Sequence, residues 1–189
     1  MKNDFAVLST KNQYRENYRS IRSSLSDFRR NEASNSCFTF FSSSFTDSKK
    51  VLSFASKTEE LNLWPLNDFL ASRKQLVLPK VSGDSLEIYK VDSTDTLIRS
   101  YSSILEPDPA LCEIASLHEI DIILVPGLCF DENFSRIGYG KGHYDRLIPL
   151  IRKSSPKVAI FGVGFKEQLS KTPLEIQSHD APLDNIFLF

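Results

Sequence analysis

Three cysteines in 189 residues, Cys37, Cys112 and Cys129, are an odd number, and none lies in a CxxC spacing. A disulfide framework and a zinc-ligand set are thereby set aside, and idle thiols in a reducing compartment are expected. Neither sign of charge dominates. Lys plus Arg number 23 against 24 Asp plus Glu, a net charge of −1. Non-specific nucleic-acid binders are as a rule visibly basic, so no nucleic-acid partner is expected, although a basic pocket can hide inside a neutral total. No apolar run approaches the roughly 20 residues that cross a bilayer. The opening MKNDFAVLSTKNQYRENYRS has no apolar core of signal-peptide length. The expectation is a soluble, cytoplasmic protein with no membrane partner. No Ser/His/Asp set lies in a nucleophile-elbow sequence, so hydrolase chemistry has no support. Internal repeats and long linkers are missing as well.

What is present is ordinary globular material, 41% hydrophobic and 25% charged, in a length that suits one domain over residues 1–189. Residues 9–29 predict a helix, capped by Ser9 or Thr10, with Tyr14, Tyr18, Ile21 and Leu25 on one apolar stripe. Lys11, Arg15, Arg19 and Arg22 share a neighbouring face, which by local sequence reads as a solvated basic face. The Ser- and Phe-rich stretch 34–48 suits either a weak helix or a buried strand. Strands are expected at 51–55, 75–79, 86–91, 121–126, 157–165 and the closing DNIFLF, with helices near 63–73 and 143–153. ILEPDPALCE, 104–113, reads as a Pro-punctuated connection. Strands alternating with helices predict an α/β fold, a single Rossmann-like three-layer domain with a largely parallel sheet and helices on both faces.

The segment VPGLCFDENFSRIGYGKGHYDRL, 125–147, follows the run DIILVP, the strand expected to be most buried. Ligands of open α/β sheets collect at the carboxyl ends of strands. Gly138, Gly140 and Gly142 alternate with Tyr139 and Lys141, so backbone N–H groups can approach an oxyanion just before a helix N-terminus. Arg136 and Lys141 add fixed cations. Asp145 adds a hard oxygen suited to a phosphate-bound Mg²⁺. These are the parts that hold and polarise a triphosphate. The loop is neither a Walker A sequence, since Gly142 follows Lys141, nor GxGxxG, since residue 143 is His. A glycine-rich turn with two solvated cations remains the plainer reading of the same residues.

RIGYGKGHYDR preceded by VPGLCFD resembles the signature of the 5-formyltetrahydrofolate cyclo-ligase family, which reads approximately PGxxFD…RLGxGxGYYDR. The match falls at Pro126, Gly127, Phe130, Asp131, Arg136, Gly138, Gly140, Gly142, Tyr144, Asp145 and Arg146. The resemblance extends to Lys11 and Arg15 four apart near the start, to SFASKTEE with Glu60 and Ala55, to LPK at 78–80, EP at 106–107, and HDAPLDNI at 179–186. His143 stands where many members carry Tyr, and Ala55 is smaller than the aliphatic residue often found there.

The resemblance implies an ATP- and Mg²⁺-dependent ligase that closes 5-formyltetrahydrofolate to 5,10-methenyltetrahydrofolate, acting as a monomer. It implies that Lys11, Arg15, Arg136, Gly138, Gly140, Lys141, Gly142 and Tyr144 bind ATP, with Lys141 and Arg136 catalytic. Ala55, Glu60, Tyr139, Gly140 and His143 would border the folate, and Asp145 and Asp180 would ligate the metal. His179 would orient the loop, and His118 would lie on the surface. Competing readings are a non-catalytic folate or nucleotide binder, an ATP-using enzyme for another N-formyl substrate, and an RNA-associated scaffold. Lys141, Asp145 and Asp180, whose loss would mark the first, are all present.

Overall fold

Aliphatic residues that alternate between the two faces of a sheet set the architecture. The computed structural model describes residues 2–45, 50–100 and 104–189. The helices are α1 (Lys2–Ser23), α2 (Asp27–Ser44), α3 (Trp64–Ser72) and α4 (His143–Ser154). The strands are β1 (Val51–Leu52), β2 (Leu76–Ser82), β3 (Ser85–Lys90), β4 (Leu97–Arg99), β5 (Leu105–Pro107), β6 (Ile122–Pro126), β7 (Cys129–Phe130), β8 (Arg136–Ile137), β9 (Ala159–Gly164) and β10 (Asn185–Leu188).

Six strands form one sheet in the order β10-β9-β6-β1-β2-β3. Every pairing in it is parallel except β2 with β3, a hairpin. Parity decides the layers. Val51, Leu76, Leu78 and Leu124 point to the face covered by α2 and α3. Leu52, Val77, Ile123 and Val125 point to the face covered by α4. Both faces are thus apolar, as a sheet sandwiched between helices requires. The predicted three-layer α/β arrangement is what the chain adopts.

The first helix is a correction. It begins at Lys2 and stops at Ser23, so neither Ser9 nor Thr10 caps it. Ser26 accepts the Arg29 N–H at 3.2 Å and starts a second helix. Arg30 donates to the carbonyls of Leu25 and Arg22, closing the end of α1. The Ser/Phe-rich stretch is helical through Ser44, while 46–48 lie outside the described residues. Ala33, Cys37, Phe41 and Phe45 recur every fourth residue and are buried. The hydroxyls turn inward, Thr39 to the Asn35 carbonyl at 2.9 Å and Ser44 to Phe40 at 2.8 Å, so they do not compete with the helix. The Pro-punctuated connection holds β5, which pairs with β4 in a two-stranded ribbon.

Candidate active site

After β1 the chain crosses through α3 to β2 on one side, and after β6 it crosses through α4 to β9 on the other. The carboxyl ends of β1 and β6 therefore diverge and leave a crevice, the usual ligand position of open α/β sheets. Fully buried Asn67 on α3 shapes one wall, accepting from Ser53 Oγ at 2.6 Å and donating to the Phe54 carbonyl at 3.0 Å. The segment after β6 forms the other wall. It is less of a loop than its sequence suggests, because β7 and β8 pair and Asp131 ties their turn. Asp131 accepts the Asn133 and Ser135 N–H groups at 3.0 and 2.8 Å and that of Leu174 at 2.8 Å. The ribbon is thereby anchored both to itself and to the C-terminal segment.

The resulting cleft has a volume of about 790 Å³. It brings together all fourteen predicted residues: Lys11, Arg15, Ala55, Glu60, Arg136, Gly138, Tyr139, Gly140, Lys141, Gly142, His143, Tyr144, Asp145 and Asp180. Gly140 and Gly142 have φ of +97° and +65°, the left-handed region that glycine enters without strain. Gly142 is the N-cap of α4, so the loop delivers its N–H groups where that helix's dipole is positive. Arg15 Nε donates to the Gly138 carbonyl at 3.0 Å and braces the loop. Lys141 is exposed on the cleft rim.

Two cation–carboxylate pairs lie below the loop. Lys11, only 5% exposed, meets Asp180 Oδ2 at 2.5 Å. Burial works against the Asp180 anion, but the Gln177 N–H and the Lys11 ammonium outweigh it and hold the carboxyl below the ordinary carboxylate range. Arg136 meets Asp145 Oδ1 at 2.7 Å, and the Ala181 N–H reaches the same oxygen at 3.2 Å. Burial, then Arg146 and Lys141, lowers the His143 pKa, which leaves a neutral imidazole at neutral pH. Burial and the Glu60 charge raise that of Tyr144, whose ring lies 5.8 Å from the Arg136 guanidinium.

Among the described residues no three His, Cys, Asp or Glu gather into a metal cage. Mg²⁺ demands less, keeping several waters and taking one or two carboxylates beside phosphate oxygens. Asp145 meets that demand, since its Oδ2 has no partner among the described residues. Asp180 Oδ1 accepts no hydrogen bond among the described residues, and His179 Nε2 stands 4.0 Å from it.

From within the glycine loop Tyr139 donates its hydroxyl to Glu60 Oε1, and the Lys57 N–H donates to Oε2 at 2.8 Å. Glu60 is 8% exposed. Glu106 and Lys57 also line the cleft.

Several of these residues were not singled out by sequence. Arg22 belonged to the stripe read as solvated, yet it is 2% exposed and donates to the Tyr139 hydroxyl at 2.5 Å. Arg146, a signature residue without a role, donates to the Asp84 carbonyl at the β2–β3 turn and to the Lys141 carbonyl at 2.8 Å. Gln177 holds Lys11 at 3.3 Å. Arg19 is exposed, as expected, and so is His118.

The sequence profile of the 5-formyltetrahydrofolate cyclo-ligase family matches residues 7–188. A probable 5-formyltetrahydrofolate cyclo-ligase of Schizosaccharomyces pombe is 32% identical over 121 residues, 59% of this chain and 59% of that protein. One of Caenorhabditis elegans is 30% identical over 155 residues, 75% of this chain and 73% of the relative. Against the fission-yeast relative, then, the chain spans about 59% of its length. The NMR structure of Aquifex aeolicus 5,10-methenyltetrahydrofolate synthetase superposes with a TM-score of 0.79 at 32% identity, covering 93% of this chain and 88% of that one. A Mycoplasma pneumoniae synthetase shares the fold, with a TM-score of 0.72 at 19% identity. The profile match takes in both the helix of Lys11 and the loop of Asp180, which only the folded chain brings into one cleft, and this chain belongs to the 5-formyltetrahydrofolate cyclo-ligase family.

Proposed function

We propose that this protein is an ATP-dependent 5-formyltetrahydrofolate cyclo-ligase, forming 5,10-methenyltetrahydrofolate with release of ADP and phosphate. One observation carries the reading. A single cleft gathers a glycine loop, the cations Lys11, Arg15, Arg136 and Lys141, and a buried carboxylate, Glu60. The loop and its cations suit a triphosphate, and the carboxylate suits a ring edge rich in N–H donors.

The N5-formyl carbon is a poor electrophile, and its oxygen is a poor leaving group. Attack of that oxygen on the γ-phosphorus of ATP expels ADP and makes it a phosphate ester. N10 then attacks the activated carbon, loses its proton, and the carbon–oxygen bond breaks with departure of phosphate. The second step is nearly intramolecular, so positioning supplies much of the acceleration. The protein's part is to place and neutralise charge, with no covalent intermediate on a side chain.

In this reading Lys11, Arg15, Arg136, Lys141 and the N–H groups of Gly138, Gly140 and Gly142 bind the phosphates, beside Tyr144. Lys141, a cation with the freedom of an exposed chain, accompanies the transferring group, with Arg136 as second catalytic cation. Asp145 and Asp180 hold Mg²⁺, which supplies charge neutralisation to the polyphosphate when bound. Glu60 accepts from the amino-pyrimidine edge of the pterin, with Ala55, Tyr139, Gly140 and neutral His143 along the ring. The reading takes the protein to be a single domain acting as a monomer. Among the described residues no helix is long and apolar enough to cross a membrane. The free, buried thiols of Cys37, Cys112 and Cys129 suit the reducing cytoplasm.

The test is to mix the protein with 5-formyltetrahydrofolate, ATP and Mg²⁺ and follow the methenyl product by its near-ultraviolet absorbance. ATP-dependent product that falls at least a hundredfold in Lys141→Ala is expected, the range for a lost charge-stabilising contact. Folded protein that binds ATP yet forms no product sinks the reading.

A further inference from the structure

Arg22 is the largest fully buried side chain among the described residues, and its Nε has no hydrogen-bond partner among them. A guanidinium withdrawn from water at such cost needs a reason. Its close partner is the Tyr139 hydroxyl at 2.5 Å, whereas the exposed carboxylate of Glu59 stands 3.7 Å away. The Tyr139 ring is flanked by two cations, Arg22 at 5.5 Å and Lys57 at 5.2 Å.

Hydrogen-bond valence fixes the direction of this chain of contacts. Arginine has only donors, so the Tyr139 oxygen must accept from Arg22. The single phenolic proton is then left for Glu60 Oε1. The Lys57 N–H already holds Oε2 at 2.8 Å. Both carboxylate oxygens are thus pinned from the protein side, and what they turn to the cleft can only accept. The same phenol reversed, accepting from both Arg22 and a protonated carboxyl, would leave its own proton with no acceptor among the described residues.

We infer that Arg22 is a positioning residue for substrate recognition: acting through Tyr139, it locks Glu60 as an acceptor-only carboxylate selective for a ring edge with two adjacent N–H donors. This rests on the reading of the cleft as a folate site. Burial raises the Tyr139 pKa, with the Glu60 charge adding to it, so the phenol keeps the proton it donates. Tyr139 stands between Gly138 and Gly140, so the ring-binding carboxylate and the phosphate-facing loop share one residue.

The experiment compares wild type with Tyr139→Phe, Arg22→Lys and Arg22→Met. Calorimetry measures 5-formyltetrahydrofolate binding without ATP, and steady-state kinetics give KM for folate and ATP separately. Tyr139→Phe should weaken folate binding and raise its KM about ten- to a hundredfold, the range for a hydrogen bond to a charged group. The KM for ATP should stay within about twofold of wild type, a loss smaller than that of one neutral hydrogen bond. Arg22→Met should match Tyr139→Phe, and Arg22→Lys should recover most of the affinity, since an ammonium also only donates. Thermal melts report the folded fraction. Should Arg22→Met not fold, Tyr139→Phe and Arg22→Lys decide the matter. Unchanged or tighter folate binding in Tyr139→Phe would overturn the inference, since the phenol would then merely occupy the site. Equal rises in both KM values would also overturn it. Wild type that binds no 5-formyltetrahydrofolate at all would sink the folate reading itself.

Discussion

Lys11 and Asp180 meet at 2.5 Å with the lysine almost wholly buried, and the pair makes stability depend on acid. Asp180 has its folded pKa lowered, so its contribution is fully present above the unfolded value of about 3.9. It is lost as pH falls through the lower, folded value. Asp180→Asn should therefore melt below wild type at pH 7, with the gap closing on acidification below about pH 4. A gap constant from pH 7 to pH 3 in melting curves would show that the ion pair adds nothing. At this scale the sequence was informative where a residue's chemistry allows few roles. Alternating glycines, Lys141 and Asp145 pointed by residue type to what is one wall of a cleft, and Glu60 and Asp180 entered by resemblance. Arg22 was unreadable for a physical reason. A helix face is solvated or buried according to what packs on it, and its partner Tyr139 lies 117 residues further along.

Elements were legible when long and periodic. The aliphatic run of β6 and the amphipathic α4 were placed closely, because burial on both faces or on one leaves a pattern in composition. The break between α1 and α2 was missed, since the apolar stripe continues to Leu25 while the Ser26 cap interrupts the backbone. β7 and β8, two residues each, offer no period to detect. The turn into α4 depends on glycine more strictly than its composition shows. A Cβ on Gly142 would approach Arg146 Nη1 to 2.8 Å at a φ of +65°. Gly142→Ala should cost about 1–2 kcal/mol from the left-handed backbone alone. A melting temperature lower by about 2–8 °C is expected for a chain of this size. It should also weaken ATP binding, because displaced Arg146 no longer holds the Lys141 carbonyl. A nucleotide titration that matches wild type would remove Arg146 from the loop's support.

For the molecule as a whole, fold class followed from alternation of strands and helices, but strand order did not. Nothing in a single strand's composition says whether the next strand lies to its left or right. That choice, reversing between β1 and β6, is what opens the cleft. The aromatic layer beneath α2 holds one side of the sheet: Phe41 stacks on Phe45 at 4.7 Å and packs edge-on against Phe187 at 5.4 Å. Phe41→Ala should destabilise the protein by about 3–5 kcal/mol. Urea unfolding measures it, and a loss under about 1 kcal/mol would mean that the layer closes over the gap, as well-collapsing sites can.

Lys11 and Asp180 are 169 residues apart, and this separation sets an order of events during synthesis. A growing chain acquires the glycine loop, both flanking helices and Glu60 before the loop of Asp180 exists. A chain cut at residue 178 would lack both Asp180 and β10, leaving Lys11 without its carboxylate and β9 without its outer neighbour. Such a chain should gain no protease protection from ATP, whereas the 189-residue chain should. Until the loop of Asp180 is made, Lys11 lacks its carboxylate, and ATP is expected to protect only chains extended past that point.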